Sequence, residues 1–408
     1  MKAGLRFGNG GYDKASLLKT AGVTVVLAAA AWLLAPVLLP NKPPADFPAL
    51  PDLQTANQHL RALLESADRE ARRRPGSAEA AGRLGMAYHA NLYFEQAGRA
   101  YQIAARLAPG DYRWAYDQAV LYEETGDKDR QLKSLRDTVR LKRDHALALL
   151  KLGDWMFKFD RLDEAARYYR EAATVPGNEA VLPAIYGLGR IAARRRDWNL
   201  VIEHIAPVSR VHPYLRPPYD LLRQAYEGLG QADKAAEARR GAALAGVKVL
   251  PPPDDPLNEE LTVLCYSSTR LLKLAGLLSR TGHASRALEV ARRAASVNPE
   301  DPDARYFIAH TLITSPGNQT EAADEALTQL GECIRLRPDD LTPLWNFTND
   351  FFTAPRPQAA VERLHALLLP HANGAGAHLS LGLVAEARGK TAEAISHYEA
   401  ALKHNPGD

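Results

Sequence analysis

Residues 84–109 read LGMAYHANLYFEQAGRAYQIAARLAP. Within this run Leu84-Gly85 is followed by Tyr88, then by Ala97, Tyr101, Ala104 and the closing Pro109. Small side chains at fixed positions let two helices approach closely, and a Tyr or Leu fills the gap beside them. The stretch therefore predicts a pair of helices of about a dozen residues each, packed tightly and stopped by a proline.

Moving outward, the same spacing returns. Pro75 and Pro109 are 34 residues apart, and Pro338 and Pro406 are 68 apart, which is two such periods. Pro299 and Pro338 are separated by 39, with the excess assigned to the loop Ser315-Pro-Gly-Asn-Gln-Thr320. In this register one column holds Ala97, Ala165, Ala235, Ala287, Ala326, Ala360 and Ala394, with Gln131 and Val201 as its exceptions. Alanine is roughly one residue in six of the chain, so seven hits in nine repeats exceeds chance and marks an internal repeat. A second column runs through Ala104, Ala172, Ala242, Ala294 and Ala401, and Gly85, Gly153, Gly189 and Gly382 form a third.

These columns resemble the tetratricopeptide repeat family. Leu84-Gly85-x-x-Tyr88 with Ala97, Tyr101, Ala104 and Pro109 carries the likeness best. Leu152-Gly153 with Ala165, Tyr169 and Ala172 repeats it, as does Leu381-Gly382 with Ala394, Tyr398, Ala401 and Pro406. The resemblance covers residues 78–408 in about nine units and implies an all-α, right-handed α-solenoid of helix-turn-helix repeats. Units near 182–215 and 302–340 depart in length. Residues 53–74 are expected to form one further helix that caps the first unit. Pro251-Pro-Pro-Asp-Asp-Pro256 cannot be helical. The segment 249–257 therefore divides the array into a first block, 53–248, and a second, 258–408. Asn258 is expected to cap a helix running to about Thr281. The end at Asp408, just past Pro406, is expected to leave an apolar end face open to a partner.

Ahead of the repeats, Ala21–Leu39 is apolar apart from Thr24 and carries no charge. Nineteen residues at a rise of ~1.5 Å span roughly 28 Å, close to the hydrocarbon thickness of a bilayer. Lys2, Arg6, Lys14 and Lys19 precede the segment against the single acid Asp13. The positive-inside rule then predicts a cytoplasmic tail at 1–20 and a transmembrane helix at 21–39. Residues 40–52 become an extended proline-rich spacer, with the repeats on the extracytoplasmic side. No small-x-small site follows the apolar run, which argues against a cleaved signal peptide.

Hydrophobic residues make up 46% and charged residues 24% of 408, which excludes disorder throughout. A net charge of +3 with no basic tail gives no footprint for nucleic acid. The chain shows no His-Glu-x-x-His, Cys-x-x-Cys, Gly-x-Ser-x-Gly or Gly-Lys-Ser/Thr loop. Gly374-Ala-Gly376 joins two helices rather than a strand and a helix, which does not suit a nucleotide. No cofactor and no catalytic residue is expected. Cys265 and Cys333 read as small buried side chains, with a single bridge left open. His365, His371 and His378 are six and seven apart, the wrong spacing for convergence on a metal from one helix. Arg72-Arg-Arg74 and Arg194-Arg-Arg196 read as solvated helix ends. Asn318-Gln-Thr320 and Asn346-Phe-Thr348 fit a glycosylation sequon, the second within a helix.

In the resembled family the first helix of each unit lines a groove that binds extended or helical peptides. Transferred column by column, that implies a groove built from Tyr116, Leu150, Asp154, Phe157, Tyr186 and Arg190 in the first block. Tyr306, His310, Trp345 and Asn349 would continue it in the second. Aromatic area with a few orienting polar groups is what a protein-binding surface uses. The expectation is a non-catalytic scaffold in a bacterial inner membrane, held in the lipid bilayer through residues 21–39. Its partners would be other proteins or peptides of a membrane-associated complex, such as an envelope machine or a membrane enzyme. A receptor for targeting peptides on an organelle membrane, with the repeats in cytosol, is the alternative. An enzyme with an unrecognised groove site is a third, and it would require a buried polar cluster near Asp154 and Arg190.

Overall fold

The computed structural model describes residues 47–54, 56–177, 180–314 and 319–404. The expected tail and transmembrane helix, most of the spacer, and the chain end at 405–408 lie outside these residues. Among the described residues no helix is long and apolar enough to cross a membrane.

Twenty α-helices make up the described residues. The first, α1 (Gln58–Arg73), begins at Asn57, whose side chain accepts from the Leu60 amide. It packs on the first pair as a cap. Five pairs follow: α2 (Ala78–Ala90) with α3 (Phe94–Leu107), α4 (Tyr112–Thr125) with α5 (Lys128–Leu141), α6 (Ala146–Lys158) with α7 (Leu162–Thr174), α8 (Val181–Arg194) with α9 (Trp198–Val211), and α10 (Arg216–Gly228) with α11 (Ala232–Leu244). A short helix, α12 (Pro256–Leu264), packs against α2. Three more pairs follow: α13 (Ser268–Arg280) with α14 (Ala284–Val297), α15 (Pro302–Thr314) with α16 (Gln319–Leu336), and α19 (Ala375–Ala387) with α20 (Thr391–His404). Between the last two lie α17 (Thr342–Phe351), which packs on α15 and α19, and α18 (Gln358–Leu368), which packs on α16 and α19.

The repeated columns have direct structural causes. An ideal Cβ on Gly85 would sit 2.6 Å from the Tyr101 ring, and one on Gly153 2.6 Å from the Tyr169 ring. Ile205 and Tyr398 stand in the same relation to Gly189 and Gly382. In every case the partner lies sixteen residues downstream, so the glycine exists to admit the second helix's large side chain. The alanine column from Ala97 to Ala394 is buried throughout. The turn contributes another column in seven of the pairs. Leu92, Gly126, Asp160, Arg196, Gly230, Gly282 and Gly389 all have φ between 58 and 87°. A left-handed residue reverses the chain in the fewest steps, and glycine takes that conformation without steric cost.

The helix expected from Asn258 to Thr281 is instead two. Asp255, not Asn258, is the N-cap of α12, its carboxylate accepting from the Leu257 amide, with Pro256 at the first helical position. The chain leaves the helix at Cys265–Ser267, and Ser267 caps α13 by accepting from the Arg270 amide. Cys265 and Cys333 are buried free thiols. The arginine runs pair with acids: Arg72 with Asp68, Arg74 with Glu70, Arg194 with Asp160 and Arg195 with Asp163. His378 associates with histidines far from it in sequence, its Nδ1 lying 3.2 Å from that of His397 with the His404 ring stacked alongside.

The two blocks share a core. Leu257, Leu261, Cys265, Leu271 and Ala275 belong to the same buried cluster as Met86, Tyr116, Val120 and Leu150. A separate cluster holds Ala192 to Ala238, and another runs from Ala309 to Val384.

Candidate protein-binding groove

Residues of α4, α6 and α8 line one wall, and the chain lays its own proline-rich segment across it. After α11, Val247 exchanges backbone hydrogen bonds with Tyr214 and Arg216 at 3.0 and 2.9 Å. Leu250 to Pro253 then run past Leu150, Asp154, Tyr186 and Arg190. Consecutive prolines hold an extended conformation and offer no N–H groups that would need partners. At Asp255 the segment docks, its carboxylate receiving the Tyr116 hydroxyl at 2.7 Å.

Beyond this point Asn91 accounts for the break between α12 and α13. Its amide donates to Ala87 O at 2.9 Å and to Leu264 O at 3.0 Å, while its Oδ1 accepts from the Tyr266 amide at 2.7 Å. A helix interrupted inside a protein needs such partners for its orphaned backbone groups. His59 stacks on the Tyr266 ring, 5.9 Å between centroids, and Arg293 donates to the carbonyls of Val263 and Cys265. Arg270 of α13 grips Glu124 of α4 in a bidentate pair at 2.5 and 2.7 Å.

Electrostatics at this seam follow from burial. Burial pushes the Tyr116 hydroxyl well up, and the neighbouring Asp255 carboxylate adds to it. Asp117, almost fully buried, is held well above the usual carboxylate range by desolvation and then by Glu260 and Asp255. Desolvation alone would raise Glu124 as well. Hydrogen bonds from His89 and Arg270 outweigh it and bring that carboxyl down to about 2. His89, fully buried between Tyr101 and Glu124, is lowered by desolvation despite the carboxylate beside it.

Between this strap and helices α4, α6 and α8 a cavity of about 640 Å³ remains. Five of the ten expected groove residues meet there: Tyr116, Leu150, Asp154, Tyr186 and Arg190. Tyr116 and Leu150 are buried, whereas Tyr186 and Arg190 are partly exposed. Asp154 is exposed, yet the surrounding wall desolvates its carboxyl enough to raise it even though the Tyr169 hydroxyl donates to it at 2.7 Å. Phe157 lies outside this cavity, beneath the Arg190 guanidinium at 4.0 Å, and helps line a neighbouring recess. The remaining four stand in the second block. Tyr306 and His310 have ring centroids 5.9 Å apart, His310 contacts Asp350 at 3.1 Å, Trp345 packs against Gly376, and Asn349 is exposed.

Asn91, Glu124, Asp255, Tyr266 and Arg270 build the seam, and column reasoning did not find them. Their contacts join residues 139 to 175 positions apart, or 146 for the Glu124–Arg270 pair. One signal was present in the sequence: Asp255-Pro256 combines a capping acid with a proline suited to the first helical turn. Among the described residues no group of three His, Cys, Asp or Glu is placed to hold a metal ion.

The family model described as "Tetratricopeptide repeat" matches residues 116–179, 272–334 and 349–408. No curated protein matches the chain. Among solved structures, PilW, titled a widely conserved type IV pilus biogenesis factor, is 17% identical, with 60% of this chain and 96% of that one covered at a TM-score of 0.34. Pseudomonas aeruginosa pilF is 14% identical, with 60% and 99% covered at 0.37. MamA is 20% identical, with 45% and 90% covered at 0.35. The columns, the paired helices and the three matched stretches converge: the chain is an all-α solenoid of paired helices that carries tetratricopeptide repeats at residues 116–179, 272–334 and 349–408.

Proposed function

We propose that this chain is a non-catalytic scaffold, anchored in a bacterial inner membrane through residues 21–39, whose extracytoplasmic solenoid binds proteins of an envelope or membrane-enzyme complex. One observation carries the binding role: the wall where Tyr116, Leu150, Asp154, Tyr186 and Arg190 meet bounds an open cavity and already carries an extended segment of polypeptide. A surface that seats extended chain through aromatic side chains and a few polar anchors has the chemistry of peptide recognition. Asp154 and Arg190 do not read as a catalytic pair, because the carboxylate receives the Tyr169 hydroxyl and the guanidinium stacks on Phe157. In the second block Tyr306, His310, Trp345 and Asn349 extend the binding surface.

The test is affinity purification of the full chain from detergent-solubilised membranes, with partners identified by mass spectrometry. Replacing Tyr186, Tyr306 and Trp345 together by alanine should reduce partner recovery while leaving the helical circular dichroism unchanged. Undiminished recovery from a folded variant would move the contact surface elsewhere. For the anchor and topology, alkaline phosphatase fused after Asp408 should be active outside the cytoplasm, and activity confined to the cytoplasm would reject this placement.

A further inference from the structure

We propose that the open half of the groove takes an acidic, extended, proline-containing segment of a partner protein. The inference rests on the reading of this face as a protein-binding groove, and it names the partner's chemistry. Two independent observations point the same way.

The first is charge. The cavity wall carries Lys128, Lys151, Lys158 and Arg190 against Glu123, Asp154 and Asp255. All three acids are engaged within the wall. Glu123 pairs with Lys151 at 2.6 Å, Asp154 receives the Tyr169 hydroxyl, and Asp255 receives that of Tyr116. Lys128 and Lys158 have no acid partner among the described residues. Four cations against three carboxylates leave the lining net positive, with Lys128 and Lys158 exposed, and charge complementarity selects an acidic occupant. Trp155 and Phe159 stack beside it, 4.2 Å between ring centroids, and Phe159 is 47% exposed. They supply an apolar anchor of the kind on which recognition energy concentrates.

The second is the strap. Leu250-Pro-Pro-Pro-Asp-Asp255 is itself extended, proline-rich and acidic; its Asp255 carboxylate sits on Tyr116 of this wall, while Asp254 turns away to Arg286 of α14 at 3.3 Å. Between the strap and helices α4, α6 and α8 the cavity stays open, with Lys128 and Lys158 in its lining. A second segment of the same chemistry fits there, with the strap's prolines as one wall and the α4, α6 and α8 helices as the other. Pre-extended proline-containing chain loses little entropy on docking, which favours it over a flexible acidic tail.

Fluorescence anisotropy on the full chain in detergent tests the proposal. The probes are labelled peptides in which prolines alternate with Asp and Glu around one Phe, and matched peptides with Lys in place of the acids. The acidic peptide should bind and weaken as salt rises. The Lys128→Glu/Lys158→Glu variant should lose about tenfold or more in affinity, while the Lys-bearing peptide should not bind the native chain. Equal binding of the two peptides would overturn the proposal, as would acidic-peptide binding that survives charge reversal. Tighter binding of a single-stranded oligonucleotide than of the acidic peptide would overturn it in favour of a polyanion. The two readings fail separately: if Tyr186→Ala reduces recovery of the natural partner and charge reversal does not, the groove stands and its acidic preference falls.

Discussion

Tyr116 and Tyr306 occupy the same position of the repeat, one in each block, and they have become different kinds of residue. Tyr116 is buried at 4% exposure beneath the strap, with its hydroxyl on Asp255. Tyr306 remains partly exposed beside His310. The two blocks are built from the same helix pairs, so the repeat itself does not decide the matter. What differs is whether the chain returns over the face. A groove column in a repeat array is thus a position with two fates, and the contact that selects between them comes from far along the sequence.

The largest effect follows from this contrast. Tyr116→Ala removes a buried aromatic and leaves the Asp255 carboxylate without its hydroxyl, so it should cost about 3–5 kcal/mol. Tyr306→Ala should cost less, about 1–2 kcal/mol, since that ring is already partly exposed. Urea unfolding read by circular dichroism would check both. Comparable losses at the two positions would mean that the second-block face is as closed as the first.

Asn91 and Asn349 form the next pair. Asn91 satisfies three backbone groups at the α2 end and at the α12–α13 break. Asn91→Ala strands Leu264 O and the Tyr266 amide and should cost about 2–3 kcal/mol. Faster amide exchange should follow through 255–267, the local signature of a released strap. Asn349→Ala, at an exposed site, should stay within about 0.5 kcal/mol.

The contrast also explains what could be read without a structure. The glycine and alanine columns were legible because their contacts are local. Gly85 admits Tyr101 sixteen residues on, and Gly153, Gly189 and Gly382 repeat that demand on the sequence. The left-handed turn was less legible, since Leu92, Asp160 and Arg196 stand where four other pairs have glycine. The strap was not legible at all. Asn91 reads as an ordinary turn residue until Tyr266, 175 positions later, arrives beside it. Among the groove residues, column reasoning found the five that meet in the cavity, and it treated Tyr116 as an open contact because nothing local marks it as covered.

Asp117 sharpens the comparison through pH, because its burial comes from the covered face. Its neighbours are Glu260 and Asp255 from the strap side and Arg113 and Asp111 from its own end of the wall. With a folded pKa well above the ordinary 3.8, the folded chain binds more protons than the unfolded one between those values. Stability from this group is therefore fully present at low pH and lost as pH rises through that window. Asp117→Asn should remove the slope, leaving the variant more stable than the native chain at neutral pH, with the gap closing toward pH 4. An unchanged or widening gap on acidification would show that Asp117 is ionised and solvated in the folded chain.

The smallest effect belongs to the open face, where a contact resembling one at the seam should count for almost nothing. His310 approaches Asp350 at 3.1 Å with 41% and 39% of the two side chains exposed. His89 approaches Glu124 at 3.3 Å with its own side chain wholly buried. The distances are nearly the same, but water screens the first pair and must be stripped from the second. An exposed pair of this kind contributes about 0–1 kcal/mol and weakens with salt. His310→Ala should therefore shift unfolding by no more than about 0.5 kcal/mol, with no spread of exchange beyond α15 and α17. A larger or spreading effect would mean that something covers this face in the folded chain. The two blocks would then differ in what closes their grooves, not in whether they are closed.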